Sequence, residues 1–320
     1  MNTAARLSAY GAAVVLLGAG AFAVGSTVGA PADTPRPAAA SAAPAGAPAP
    51  AQPAAPAEPG GLASSRNGYT LVPLTPTLPV ATPTELAYRI TGPDGAPVTR
   101  FEVGHDKQMH LVLVRRDTAD FQHVHPVMSP DGTWRVPVTL AGGGSYRAFA
   151  DFVPTGGPAS TLGVDLSAPG RFAPVAPEPN RTATAPGGYQ VTLDGDLTPG
   201  RSSDLTLTVS RNGRPVTNLQ PYLGAYGHLV ALRTGDLGYV HVHPDGTPGD
   251  GVTAPGPGIT FHTEVPSAGT YRLFLDFQHG GEVRTVQFTV PTAGAGSPAT
   301  PATPAAPAGG HGHDAGEGGH

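Results

Sequence analysis

The sequence predicts an all-β protein: two tandem Ig-like antiparallel β-sandwich units, with disordered ends and one hydrophobic helix at the amino terminus. Three observations carry that expectation. Gly and Pro number 45 and 38 among 320 residues, and only 13% of the chain is charged. Such a balance disfavours long helices and suits short strands joined by turns. Short segments alternate apolar and polar residues with a period of two, as half-buried strands do. Finally, a stretch of about 100 residues recurs, the length of one β-sandwich.

The amino terminus reports location. Arg6 precedes an apolar run from about Leu7 to Ala30, centred on Val14-Val15-Leu16-Leu17. Residues 1–30 read either as a cleaved secretory signal or as a retained single-span anchor, since the run approaches the ~20 residues that cross a bilayer. Both readings place the remainder outside the cytoplasm, at the cell membrane or secreted. Residues 31–66 are dominated by Ala and Pro. A segment of this kind buries no core and behaves as a spacer, reaching on the order of 100 Å at ~3.1 Å per residue.

The repeat comes next. Gly68-Tyr69 opens one unit and Gly188-Tyr189 the other. Gly95-Ala96-Pro97-Val98-Thr99 answers Gly213-Arg214-Pro215-Val216-Thr217, and Tyr146-Arg147-Ala148-Phe149-Ala150-Asp151-Phe152 answers Tyr271-Arg272-Leu273-Phe274-Leu275-Asp276-Phe277. These matches set repeat 1 at 67–173, a Pro-rich linker at 174–186 and repeat 2 at 187–291. Expected strands include 109–115, 121–125, 133–139 and 146–152 in the first unit, and 228–232, 239–243, 259–265 and 271–277 in the second. A Gly-, Pro- and Asp-rich insertion near 245–257 reads as a surface loop. Residues 292–320 form a second low-complexity end carrying His311, His313 and His320.

One motif inside the repeat carries chemistry. His110-Leu111-Val112 is followed by His123-Val124-His125-Pro126, and His228-Leu229-Val230 by His241-Val242-His243-Pro244, with twelve residues between His110 and His123 and again between His228 and His241. Side chains alternate across a strand, so the His-x-His pair shares a face opposite the valines. Two imidazoles at i and i+2, with a third from the neighbouring strand, can hold one ion at ~2.0–2.1 Å. Asp151 and Asp276 fall on the same face, where each serves as a ligand, as an orienting partner for a histidine, or as a structural hydrogen-bond acceptor. Candidate metal residues are therefore His110, His123, His125, Asp151, His228, His241, His243 and Asp276. Imidazole with carboxylate suits copper or zinc. Whether the blocks form one site or two stays open. A face turned away from the core needs cover from another element to enclose an ion. His105, His262 and His279 lack counterparts in the other unit and read as incidental. Met109 and Met128 lie near the first block as weak candidates for Cu(I). Tyr146, Tyr271, Phe152 and Phe277 read as core or corner residues.

Several functions are disfavoured. There is no Lys/Arg cluster to neutralise phosphates, so no nucleic-acid surface is expected. Cysteine is absent, which removes disulfides, thiolate catalysis and Cys-based metal sites. Phosphate-loop, dinucleotide, nucleophile-elbow and His-Glu-x-x-His motifs are all missing. The expectation is a binding protein rather than an enzyme: an extracytoplasmic carrier, buffer or sensor for copper or zinc. The alternatives are an Ig-like structural or partner-binding envelope module without metal and, more weakly, an envelope metalloenzyme.

The blocks His-Leu-Val…His-Val-His-Pro and Tyr-Arg-x-Phe-x-Asp-Phe, over about residues 69–291, resemble secreted or membrane-tethered two-repeat proteins of high-GC Gram-positive bacteria. They are similar to the YtkA-like extracytoplasmic β-sandwich domains linked to heavy-metal and copper handling. The resemblance implies an envelope location and a sandwich fold, with His110, His123, His125 and Asp151, and His228, His241, His243 and Asp276, as its residue-level content.

Overall fold

A computed structural model describes residues 58–240 and 242–293. The amino-terminal signal or anchor, the spacer up to residue 57, His241 and the tail from residue 294 lie outside the described residues. Among the described residues no helix is long and apolar enough to cross a membrane.

The described chain is all-β. Repeat 1 contributes β1 (Ser65–Arg66), β2 (Tyr69–Pro73), β3 (Thr84–Thr91), β4 (His110–Arg115), β5 (Gln122–Val124), β6 (Val127–Met128), β7 (Thr133–Val138), β8 (Gly144–Phe152) and β9 (Ser160–Ala168). These form two antiparallel sheets, ordered β1-β2-β3-β7-β6 and β5-β4-β8-β9. Repeat 2 contributes β10 (Thr182–Ala185), β11 (Tyr189–Asp194), β12 (Ser202–Arg211), β13 (Arg214–Pro215), β14 (His228–Arg233), β15 (Tyr239–Val240), β16 (Val242–Pro244), β17 (Gly258–Glu264), β18 (Thr270–His279) and β19 (Glu282–Pro291). Its sheets run β10-β11-β12-β17-β16, with β13 paired to β12, and β15-β14-β18-β19.

Strand alternation builds the cores. Leu111 and Leu113 of β4, with Ala148, Ala150 and Phe152 of β8, pack on Leu86, Tyr88 and Trp134 from the facing sheet. Leu229 and Ala231 of β14, with Leu273, Leu275 and Phe277 of β18, pack on Leu205, Leu207 and Phe261 in the second unit. Each sandwich also ties its corner alike. Tyr146 donates its hydroxyl to the Gly142 carbonyl and Tyr271 to that of Ser267, both at 2.9 Å.

The other face of these sheets is where structure adds to sequence. Val112, Val114 and Phe149 of repeat 1 form one buried cluster with Val230, Leu232, Leu237, Tyr239 and Phe274 of repeat 2. Phe121 stacks on Phe274 with ring centres 3.9 Å apart and planes 5° from parallel. Every residue of β4 is buried, because both of its faces are covered. The face expected to look outward thus becomes the interface between the two repeats. That interface supplies the cover a metal site would need.

Three boundaries differ from expectation. Residues 58–66, assigned to the spacer, are part of the fold. Gly60 exchanges two backbone hydrogen bonds with Tyr239 of repeat 2, and Gly61 donates to the Thr161 carbonyl of repeat 1. The buried Arg147 guanidinium donates to the Gly61 and Leu62 carbonyls and pairs with Asp165. Only glycine fits there: a Cβ on Gly61 would lie 2.3 Å from Phe149, and one on Gly163 would lie 2.0 Å from the Gly61 carbonyl. Next, β10 falls inside the expected linker, where Thr182–Ala185 pairs with β11. Last, the expected strand 239–243 is two strands. β15 pairs with β14, whereas β16 crosses to β17 in the opposite sheet.

Candidate metal centre between the repeats

Register brings the histidines together. His110 opens β4 opposite Asp151 of β8, and His228 opens β14 opposite Asp276 of β18. His123 sits opposite Val112 on β5 and so faces the interface with it. Because the two sheets pack face to face, these residues meet. One nitrogen from each of His110, His123 and His228 lies within 4.8 Å of the others. The two blocks pool into one cluster, rather than each unit holding its own three-histidine site. His110 and His228 are stacked at 5.5 Å and 4°, and His123 lies 5.5 Å from His110 and 4.9 Å from His228. Imidazoles sharing one ion at ~2.0–2.1 Å have ring centres about 5 Å apart, which matches these separations.

Hydrogen bonding fixes the tautomers. The Nε2 of His110 faces the Gly104 carbonyl at 3.0 Å; a carbonyl only accepts, so Nε2 carries the proton and Nδ1 keeps a lone pair. Likewise Nδ1 of His123 donates to the Asp276 carboxylate at 2.8 Å, leaving the lone pair on Nε2. Those two lone-pair nitrogens, His110 Nδ1 and His123 Nε2, face each other at 3.3 Å. Between neutral rings this contact has no proton to share and is repulsive. A cation between them relieves it: either a proton added to the pair or a metal ion. Two nitrogens on a tetrahedral ion at ~2.0–2.1 Å stand about 3.3–3.4 Å apart.

The orienting carboxylate crosses the interface. Asp276 belongs to repeat 2 and holds a ring of repeat 1, while its other oxygen accepts from Thr285. In repeat 1, Asp151 accepts from Thr161 in the same way. A carboxylate behind a ligating histidine raises its basicity and fixes its angle.

Two further imidazoles border the cluster. The His125 ring lies 5.1 Å from His110 and 4.9 Å from His123, and its buried Nε2 has no hydrogen-bond partner. His105, read as incidental, stands 6.1 Å from His110 and 5.6 Å from His228. Its position in repeat 2 is Leu223, so the internal repeat hides it. A cleft of about 220 Å³, lined by His105, Lys107, His110, Asp151 and Phe152 among others, leads to this edge of the cluster. Larger clefts of about 350 and 490 Å³ are surface features remote from these rings.

Burial disfavours the charged form of His110, His125 and His228. It is the first cause pushing His110 down to about 4 and His125 down to about 3, with neighbouring imidazoles adding to it. Burial likewise holds His228 well below the usual range. Neutral imidazole is the form that ligates a metal.

The remaining expected residues are dispersed. His243 sits on β16, opposite His262 of β17, in the sheet that faces away from the interface. The even parity assumed for 239–243 fails because the chain changes sheets within it. His241 lies outside the described residues. Met109 and Met128 pack with the core of repeat 1, on the opposite side of the sheet from the imidazoles. His279 bonds the Tyr189 hydroxyl at 2.6 Å and Asn218 at 3.1 Å, a local structural role.

A family model described as a domain of unknown function, DUF8832, matches residues 64–169 and again residues 183–294. The chain belongs to the DUF8832 family. Both DUF8832 matches coincide with the two sandwiches, and this is the family found rather than a YtkA-like or copper-handling one. No curated protein matches the chain. Among solved structures, the Escherichia coli adhesin FdeC is similar at 17% identity over 72% of this chain and 65% of its own, with a TM-score of 0.24. The Yersinia pseudotuberculosis adhesin InvE is similar at 12% over 70% and 58%, with a TM-score of 0.21. A putative membrane anchored protein from Corynebacterium diphtheriae is similar at 11% over 71% and 57%, also at 0.21. The chain spans less than two thirds of each of these structures. Likenesses at such scores carry nothing on the function of the DUF8832 repeats.

Proposed function

We propose that this DUF8832 protein binds a transition metal ion, copper or zinc, in the histidine cluster between its repeats, as an extracytoplasmic carrier, buffer or sensor rather than a catalyst. The observation that carries the reading is the 3.3 Å approach of two lone-pair nitrogens, His110 Nδ1 and His123 Nε2, with His228 alongside. His110, His123 and His228 would hold the ion, with His125 as the nearest fourth imidazole. Asp276 would orient His123. The donor set is all nitrogen, borderline-soft, and suits Cu(II) or Zn(II) over Mg or Ca. Location outside the cytoplasm rests on the apolar run at 7–30 and the Ala/Pro stretch that follows it.

A second reading is structural: the histidines support an Ig-like envelope module that engages a partner and takes no metal. What favours it is that one proton on His123, paired with Asp276, also satisfies the 3.3 Å contact. Metal analysis separates the two. The full chain, purified and dialysed against Zn(II) or Cu(II), is compared with a His110→Ala/His123→Ala/His228→Ala variant. The metal reading expects one equivalent fewer in the variant; equal content in both removes it and leaves the structural one.

A further inference from the structure

We propose a second, solvent-facing metal site on repeat 2, formed by His262, Asp245 and His243 and oriented by Asp204. It is separate from the cluster between the repeats and uses other ligands. Register builds it. Asp204 of β12 lies opposite His262 of β17, and His262 lies opposite His243 of β16. The three residues therefore form a row straight across three neighbouring strands, on one face of the sheet. Cross-strand neighbours of this kind have Cβ atoms about 4.5–5.5 Å apart. Asp245 follows His243 by two positions and continues the pairing through its amide to the Thr260 carbonyl at 2.8 Å, so it returns to the same face.

Hydrogen bonding again assigns the ring. Asp204 accepts from His262 Nδ1 at 2.7 Å, which leaves Nε2 as the nitrogen that can be given to an ion. That nitrogen points towards β16 and stands 3.7 Å from a carboxylate oxygen of Asp245. A cation belongs between that nitrogen and the carboxylate: a proton in the metal-free protein, which a divalent ion displaces on binding. A divalent ion bonded to both at ~2.0–2.2 Å in tetrahedral geometry needs them about 3.3–3.5 Å apart, a closure of a few tenths of an ångström for two exposed side chains. His243, across the ladder on the same face, swings in as the third donor, and water fills what remains. Imidazole with carboxylate selects Zn(II), Cu(II) or Ni(II) rather than a hard cation. The arrangement repeats the chemistry of the interface, where Asp276 fixes one nitrogen of His123 and frees the other.

Zinc stoichiometry and affinity test this on the full chain, with Zn(II) as the probe. His262→Ala and Asp204→Asn are each made in the wild-type protein and in the His110→Ala/His123→Ala/His228→Ala variant. All the new positions are exposed, and an unchanged circular dichroism spectrum verifies the fold. The expected result is loss of one zinc equivalent with His262→Ala in both backgrounds. With Asp204→Asn the equivalent is kept but bound 10–100-fold more weakly, as for other carboxylates behind a ligating histidine. Unchanged stoichiometry after His262→Ala in both backgrounds overturns the site, as does an affinity indifferent to Asp204. Failure of the interface site reads differently: the triple variant would then bind as much zinc as the wild type, while His262→Ala would still remove one equivalent.

Discussion

Zinc-dependent thermal stability, measured on a His262→Ala background so that only the interface site contributes, gives the sharpest quantitative test. An ion that binds the folded state alone adds RT ln(1 + [L]/Kd), about 2.7 kcal/mol at a hundredfold excess over Kd. For a folded region of about 150–250 residues, each kcal/mol moves the melting midpoint by about 2–4 °C. The expected rise is therefore about 5–11 °C between chelator and zinc. Asp276→Asn perturbs the site without removing a ligand. Asp276 is buried, accepts from His123 Nδ1 at 2.8 Å and accepts from Thr285. Loss of its charge weakens metal affinity by 10–100-fold. Taking about 30-fold, the same zinc concentration now contributes about 0.9 kcal/mol and a rise of only about 2–3 °C. His228→Ala removes a ligand and should abolish the rise. Differential scanning calorimetry of the three proteins, with and without chelator, reads all of this. A midpoint that ignores zinc in the parent protein, or an Asp276→Asn rise as large as the parent's, would refute the coordination argument.

Two other outcomes follow from the same interface. In metal-free protein the cluster should make stability depend on pH with a definite sign. His110 is held at about 4 and His125 at about 3, below the ordinary value of 6.5, so the unfolded chain takes up protons first as pH drops. Stability is then complete above about 6.5 and declines steadily towards pH 4; urea unfolding midpoints that stay level from about pH 7 to about pH 4.5 would contradict it. Phe274→Ala removes a ring that is 1% exposed and stacked on Phe121. It should cost about 3–5 kcal/mol and reduce zinc affinity with it, since the sheets that bring His228 to His123 are held together by this contact; a loss below about 1 kcal/mol in chemical denaturation would show the repeats held together by other means.

Much of the fold was legible because strand alternation is a local property. Leu273 and Leu275 announce themselves by parity against Asp276, and Tyr146 and Tyr271 by repetition, whereas the unbroken apolar run Leu111–Val114 does not say which of its faces meets the core. The polar residues of the same strands were read correctly as lying opposite the core. What covers them was not legible, because sheet-against-sheet packing of two units depends on surface shape rather than on any local pattern. Hence the doubling of the histidine block leaves open whether there is one site or two, and only the packed interface brings His110 and His123 together with His228. Strand parity places Asp276 on the right face, but only the packing shows that the ring it holds belongs to the other unit. His243 was misplaced for a different reason. A five-residue strand that changes sheets halfway has the same apolar and polar order as one that does not. His105 carried no signal from repetition, since repeat 2 keeps the same turn, closed by Tyr222 and Ala225 as Gly104 and Lys107 close it in repeat 1, but puts Leu223 at its place. The end of the spacer was misjudged because Gly60 and Gly61 look like more linker, although their lack of side chains is what lets them enter.

The strap at residues 60–62 also has a mechanical meaning. Tension arriving from the amino-terminal side enters the fold there, and nowhere earlier among the described residues. Gly60 is bonded to Tyr239 of repeat 2, Gly61 to Thr161 of repeat 1, and Arg147 clamps both following carbonyls. A pull on the chain is therefore divided between the two sandwiches at the seam, instead of passing through repeat 1 to reach repeat 2. Withdrawing that short wedge would break bonds to both repeats without drawing on either core, and would uncover the seam on the side where Phe149 and Tyr239 meet.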